Sequence, residues 1–179
     1  QYIGVKPDKI DITTAAPNPL FHHTSDDARM IAARQRAKLP VDSPLIIFVG
    51  GLAPHKNLHG LLDGFERALT KQDLQRVHLA LIGDFRGAGF FSNYESLYDR
   101  LQANPQLQDR VHFSGYVSDA DLVALYSSAL ALAMPSYSEG FGLPAIEAMA
   151  CAVPVLASER GALPEVVGDA GIYFDPFDV

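Results

Sequence analysis

Two glutamates eight positions apart, Glu139 and Glu147, enclose the run Gly140, Phe141, Gly142, Leu143 and Pro144. In one straight helix that spacing would hold the carboxylates ~12 Å apart. Pro144 suits the first position of a helix, where its missing N–H costs nothing. The helix is therefore expected to begin near Leu143, with residues 140–142 as the loop before it. The amides of Phe141, Gly142 and Leu143 then face an anion. Folded round the glycine turn, both carboxylates accept hydrogen bonds from hydroxyls beside that anion. A diphosphate flanked by two polyols offers this combination, as in a nucleotide sugar. The plainer reading leaves Glu147 complementing the helix start and Glu139 in solvent.

A second loop, GGLAPHKN at residues 50–57, leaves an apolar run and enters a helix near Asn57. Gly50 and Gly51 let a backbone approach a ligand closely. The free amides at the helix start favour an anion, and Lys56 adds a positive charge. A tight turn with a solvated lysine fits the loop equally well. The spacing is not G-x-x-x-x-G-K-[ST], and no G-x-G-x-x-G follows this run. A third segment, SGYV at 114–117, is a strand end whose glycine could leave a backbone N–H and C=O free to read a base edge, although an ordinary turn explains it too.

These loops need elements to hold them. LIIFVG (45–50), VHLALIG (77–83), VHFSG (111–115), ALALAMPS (129–136), VPVLAS (153–158) and GIYF (171–174) are short apolar runs, expected as strands buried on both faces. Between them Leu58, Leu61, Leu62, Phe65 and Leu69 recur at helical spacing, as do Tyr94, Leu97, Tyr98 and Leu101. Ser118 is an expected N-cap with Asp121 in the first turn. Strands alternating with helices imply right-handed crossovers and a mainly parallel, six-stranded, doubly wound α/β sheet. Ligands then sit beyond the carboxyl ends of the strands, so loops 50–57, 83–93, 115–118 and 136–143 matter most. Before residue 44, KIDITT (9–14) alternates like a short strand, APNPLFHH (16–23) is a loop, and residues 26–39 are expected as a surface helix.

The composition narrows the partners. The chain has 179 residues, 48% hydrophobic and 20% charged, enough for one packed domain. A net charge of −7 without any basic run argues against nucleic acid or an anionic membrane surface. The single cysteine, Cys151, excludes an internal disulfide and fits a reducing, cytoplasmic compartment. It is most simply a small packed residue. No stretch approaches ~18 apolar residues. The six histidines show no metal-ligand spacing. The chain opens on Gln1 and is read as a piece of a longer protein.

Taken together, FVGGLAPHKN, LIGDFRG, VHFSGYV and MPSYSEGFGLPAIEAMACAVPVLASERGALPEVVGDAGIYFDP resemble the C-terminal domain of retaining glycosyltransferases of family 4, which have the GT-B fold. The resemblance runs from about residue 44 to the end, and residues 1–25 resemble the segment that joins the two GT-B domains. Residues 44–179 are thus expected as a Rossmann-like, nucleotide-sugar-binding domain, preceded by a joining segment (1–43). The resemblance implies that Glu139 contacts hydroxyls of the donor sugar and that Glu147 holds the ribose. It further implies that the Gly140–Leu143 amides bind sugar and diphosphate, that Lys56 neutralises the departing diphosphate, that Val117 meets the base, and that no bound metal or other cofactor is needed.

One departure stands out: Gly51 occupies the position where the family usually has an arginine on the diphosphate. Some members resembling mannosyl- and rhamnosyltransferases share the G-G form, which points to GDP-mannose while UDP-sugars stay open. Arg160 is the candidate replacement cation. Ala152 replaces a usual glycine without expected consequence. The expected reaction is hexose transfer to an acceptor hydroxyl of a saccharide or lipid-linked saccharide, as in polysaccharide biosynthesis. The acceptor half and any peripheral membrane contact are expected on an N-terminal domain outside this chain, so the chain alone should bind nucleotide weakly and not turn over. The rivals are a non-catalytic nucleotide-binding module, a sugar-nucleotide epimerase or a phosphorylase of the same fold, and a dinucleotide-dependent oxidoreductase domain. The epimerase lacks the glutamate spacing, the phosphorylase would need a cofactor-lysine motif not found here, and the oxidoreductase lacks its glycine fingerprint.

Overall fold

The computed structural model describes residues 6–11, 13, 15–85 and 92–178. The expected strands form where the apolar runs lie: β1 (Leu45–Val49), β2 (His78–Ile82), β3 (Val111–Gly115), β4 (Ala131–Met134), β5 (Val155–Ser158) and β6 (Gly171–Phe174). They build one six-stranded sheet in the order β3-β2-β1-β4-β5-β6, with every pairing parallel. The order reverses between β1 and β4, so the crevice of a doubly wound sheet opens at the carboxyl ends of those two strands.

Two cores flank the sheet, and β1 and β2 feed both with alternate residues. On one face Ala80, Leu132, Val155 and Ala157 meet α1 (Asp27–Arg36), α5 (Asp119–Ser127), α6 (Leu143–Ala150) and α7 (Leu163–Val167). On the other, Phe48, Leu79 and Leu81 meet α2 (Leu58–Leu69), α3 (Tyr94–Ala103) and α4 (Pro105–Gln108). Leu62 and Leu97 are fully enclosed there, each contributing roughly 1.5–3 kcal/mol of burial. Ser118 caps α5 as expected, its Oγ accepting from the Asp121 N–H at 3.2 Å.

Two expectations for the N-terminal region change. Pro7–Lys9 is a 3-10 turn, and Ile10 and Asp11 join no strand. Residues 12 and 14 of KIDITT lie outside the described residues. The helix of residues 26–39 is not simply a surface one. Ala33 is enclosed, and Arg34 reaches inward to donate to the Pro40 and Ser43 carbonyls at 3.0 and 2.7 Å and to Ser128 Oγ at 3.1 Å. Phe21, Ala33, Ala37 and Leu39 join the same core as the sheet.

Candidate functional site

The carboxyl edge of the sheet is drawn together by its loops. The Gly50 N–H donates to the Ile82 carbonyl at 2.9 Å, and the Gly83 N–H to the Gly115 carbonyl at 3.0 Å. Residues 86–91 of the expected 83–93 loop lie outside the described residues. After Gly51 the chain makes a 3-10 turn, Pro54–Lys56, and then Asn57 in the left-handed region. Asn57 is buried. Its Oδ1 accepts from the Gly60 N–H at 3.2 Å, and its Nδ2 donates to the Pro176 carbonyl at 3.0 Å. At the start of α2 the Asn57 side chain therefore caps the Gly60 amide. What the turn presents is Lys56.

Lys56 Nζ reaches Glu139 Oε1 at 2.7 Å, with the two side chains only 20% and 9% exposed. Ser136 Oγ donates to the same oxygen at 2.6 Å. Behind it, Ser158 Oγ donates to the Ser136 carbonyl at 2.7 Å and accepts from the Arg160 N–H at 3.2 Å. Ser136 and Ser158 are fully buried, so the carboxylate stands on a polar strut that crosses from β4 to β5. Glu139 Oε2 receives no hydrogen bond from a described residue. Gly161 completes the support. At φ +63°, a Cβ there would lie 2.7 Å from the Glu139 nitrogen, and the Ala162 N–H donates to the Glu139 carbonyl at 3.1 Å.

After Glu139 the glycine turn runs into α6. Gly142 takes φ +92° at the N-cap, where a Cβ would strike Leu163, and Pro144 sits within the first turn. Among the described residues no side chain caps this helix, which leaves its first amides without a side-chain partner there. Glu147 lies one turn into α6 and is half-buried, and its Oε2 accepts from the Tyr126 hydroxyl at 3.2 Å. Burial raises the Glu147 pKa, the Tyr126 hydroxyl pulls it down, and Asp119 at the head of α5 raises it again. Glu147 thus shares a corner with the step 116–118, where Val117 is half-buried against the core.

The structure brings the predicted residues together as two groups flanking the start of α6: Lys56 with Glu139, and Glu147 with the segment leading into α5. Gly50 and Gly51 follow directly on β1, and Arg160 lies in the loop after β5. Its guanidinium meets Asp175 at 3.3 Å and stands 5.5 Å from the Phe177 ring centre. Sequence reasoning passed over Asn57, Tyr126, Ser136 and Ser158 as functional parts. Only Ser136 carried a signal, as the polar residue ending an expected strand three positions before Glu139. Among the described residues no group of three or more metal-ligating side chains occurs, and no helix is long and apolar enough to cross a membrane.

A parallel sheet with helices on both faces and a reversal of strand order between β1 and β4 defines the doubly wound class of α/β domain, whose ligands sit at the carboxyl ends of the strands. The profile described as "Glycosyl transferases group 1" matches residues 30–179. The chain belongs to that family. It is 40% identical over 133 residues to the O-antigen chain mannosyltransferase B of Escherichia coli, covering 74% of this chain and 33% of that protein. Among solved structures it resembles sucrose-phosphate synthase from Thermosynechococcus elongatus (TM-score 0.71, 31% identity, 89% of this chain and 37% of that one). It also resembles Anabaena HepE in complex with UDP-glucose (TM-score 0.72, 25% identity, 88% of this chain and 41% of that one). The architecture is that of GT-B glycosyltransferases. The chain spans about a third of the length of the curated relatives it matches.

Proposed function

We propose that this chain is the donor-binding, C-terminal domain of a retaining glycosyltransferase of family 4, which transfers a hexose from a nucleoside diphosphate sugar to an acceptor hydroxyl. The observation that carries the reading is the Lys56–Glu139 contact at 2.7 Å beside an uncapped helix start. An ammonium has three N–H donors. One is committed to Glu139, which leaves two for diphosphate oxygens. The amides of Phe141, Gly142 and Leu143 supply the remaining donors, a fixed field for the charge that develops as the diphosphate leaves. Glu139 Oε2 accepts from a sugar hydroxyl, Glu147 from the ribose, and the backbone at Val117 faces the base. Gly50 and Gly51 keep the approach open.

In this reading the bond from the anomeric carbon to the phosphate oxygen breaks while the acceptor oxygen bonds to the same face. The acceptor's proton passes to the departing phosphate, so configuration is retained and neither a metal nor a protein base is required. Arg160, released from Asp175, is the second cation that Gly51 does not provide. Likeness to an O-antigen mannosyltransferase favours GDP-mannose, and likeness to a protein solved with UDP-glucose keeps a UDP-sugar as the second reading. Residues 44–179 form the nucleotide-sugar-binding domain, 1–43 hold the segment joining it to an acceptor-binding half together with the start of the C-terminal half, whose Phe21, Ala33, Ala37 and Leu39 pack into the core, and the reaction is cytoplasmic.

Calorimetric titration with UDP, GDP, ADP and dTDP tests the assignment. One diphosphate should bind the chain weakly. Lys56→Ala should weaken it roughly tenfold or more, as loss of a charged hydrogen bond implies, and Glu147→Ala severalfold. Binding of none of the four, or binding indifferent to both substitutions, would remove the basis of the proposal.

A further inference from the structure

Residues 122–126 of α5 are all buried, and Tyr126 is fully enclosed, its ring meeting Phe21 edge-on with 6.1 Å between centroids. A phenylalanine would fill the same space without bringing a hydroxyl that must find a partner. The hydroxyl's partner is Glu147 Oε2 at 3.2 Å. No other described residue donates to that carboxylate, so the phenol alone fixes which oxygen turns inward and which turns out. The ring itself is held from behind. Phe21 backs it, and on the next residue Ser127 Oγ accepts from the Thr24 N–H at 3.1 Å.

We propose that Tyr126 is a positioning residue for nucleotide recognition: its buried hydroxyl holds Glu147 Oε2, so that Oε1 is presented to the ribose hydroxyls. This rests on the assignment of Glu147 to the ribose made above. A carboxylate free to rotate about its last bonds would lose orientation entropy on each binding event, and one anchored oxygen removes that cost. The arrangement also sets when Glu147 is charged. Burial and Asp119 raise its pKa, and the Tyr126 O–H, donating to the ionised form, lowers it. Cys151, at the far end of α6, is itself raised by burial and by Glu147, to about 11, and so stays a neutral thiol. Deleting the hydroxyl therefore raises the Glu147 pKa further. Ribose recognition should then fail at a higher pH as the solution is acidified.

The test titrates the chain with UDP and GDP and with their 2′-deoxy counterparts, in the wild type, Tyr126→Phe and Glu147→Gln. Tyr126→Phe removes one atom from a filled site and leaves the ring, so folding is retained and a thermal melt verifies it. The wild type should prefer the ribonucleotide, and Glu147→Gln should lose that preference. Tyr126→Phe should weaken ribonucleotide binding roughly fivefold, the worth of one ordinary hydrogen bond. It should leave the deoxynucleotide unaffected and move the acid limb of ribonucleotide binding to higher pH. A Tyr126→Phe protein that keeps both preference and acid limb, while Glu147→Gln loses the preference, overturns the role of Tyr126 and leaves the ribose assignment standing. A wild type without ribose preference, unchanged by Glu147→Gln, overturns the ribose assignment itself.

Discussion

The sheet carries a polar cluster at each end, and the two are built on different plans. At the amino end, Arg110 Nη1 donates to His78 Nε2 at 3.0 Å, which makes His78 Nδ1–H the donor to His112 Nε2 at 2.9 Å. The rings stack 5.1 Å apart, and each contact closes on a protein atom. At the carboxyl end Lys56 and Ser136 converge on one oxygen of Glu139, Tyr126 takes one oxygen of Glu147, and the second oxygen of each carboxylate is left without a described donor. A cluster whose bonds close internally adds to the fold, and one left open on one side is prepared for a ligand.

The sharpest way to break the open cluster is Gly161→Val. Position 161 combines a left-handed backbone with a Cβ path that runs into the Glu139 main chain. The variant should lose about 3 kcal/mol, read as a lowered denaturant midpoint, and nucleotide affinity should fall at least tenfold with it. A Gly161→Val protein with wild-type affinity would show that the Glu139 loop is not held from below.

The closed cluster is probed by acid. Burial, then the neighbouring His112, Arg110 and Arg34 charges, lower the His78 pKa from 6.5 to about 4; burial and Arg110 lower that of His112. The unfolded chain binds protons that the fold refuses, so this pair's stability is complete above about pH 6.5 and drains away as pH falls toward 4. Glu147 has the opposite sign. Its raised pKa favours the fold at low pH and costs stability as pH rises through it. His78→Phe should therefore flatten the acid side of a Tm-against-pH curve and leave nucleotide binding at pH 7.5 unchanged. An acid limb of the same steepness in the variant would assign the loss to other groups.

The mildest expected effect is Gly51→Arg. Among the described residues beyond its chain neighbours, no atom lies within 4 Å of where its Cβ would stand, and its backbone is not left-handed. Stability should change by less than about 0.5 kcal/mol, with diphosphate affinity rising severalfold. Unchanged affinity would mean that this loop does not face the phosphates.

The contrast also explains what could be read beforehand. The six strands, the start of α6 near Leu143 and the Ser118 cap follow from apolar runs, Pro144 and a hydroxyl before Asp119, all of which are local. The motif residues announced themselves by type and spacing. The Lys56–Glu139 contact joins residues 83 apart in sequence, and the Ser158–Ser136 strut joins neighbouring strands. Neither has a local pattern. Tyr126 looked like any apolar position of a buried helix, because periodicity cannot tell a phenol from a phenyl. Asn57 was recognised as a helix start, but its hold on Pro176 depends on where β6 ends. The N-terminal alternation in KIDITT suggested a strand because pattern alone does not report whether a neighbouring ladder is there to receive it.

Asn57 has one further use. Its carboxamide is sealed from water and bonded to the Pro176 carbonyl, so its two protons should exchange slowly with solvent. They should also resonate away from those of surface amides. In an isotope-labelled sample that pair of signals would serve as a gauge of whether the lysine-bearing turn shifts when a diphosphate arrives.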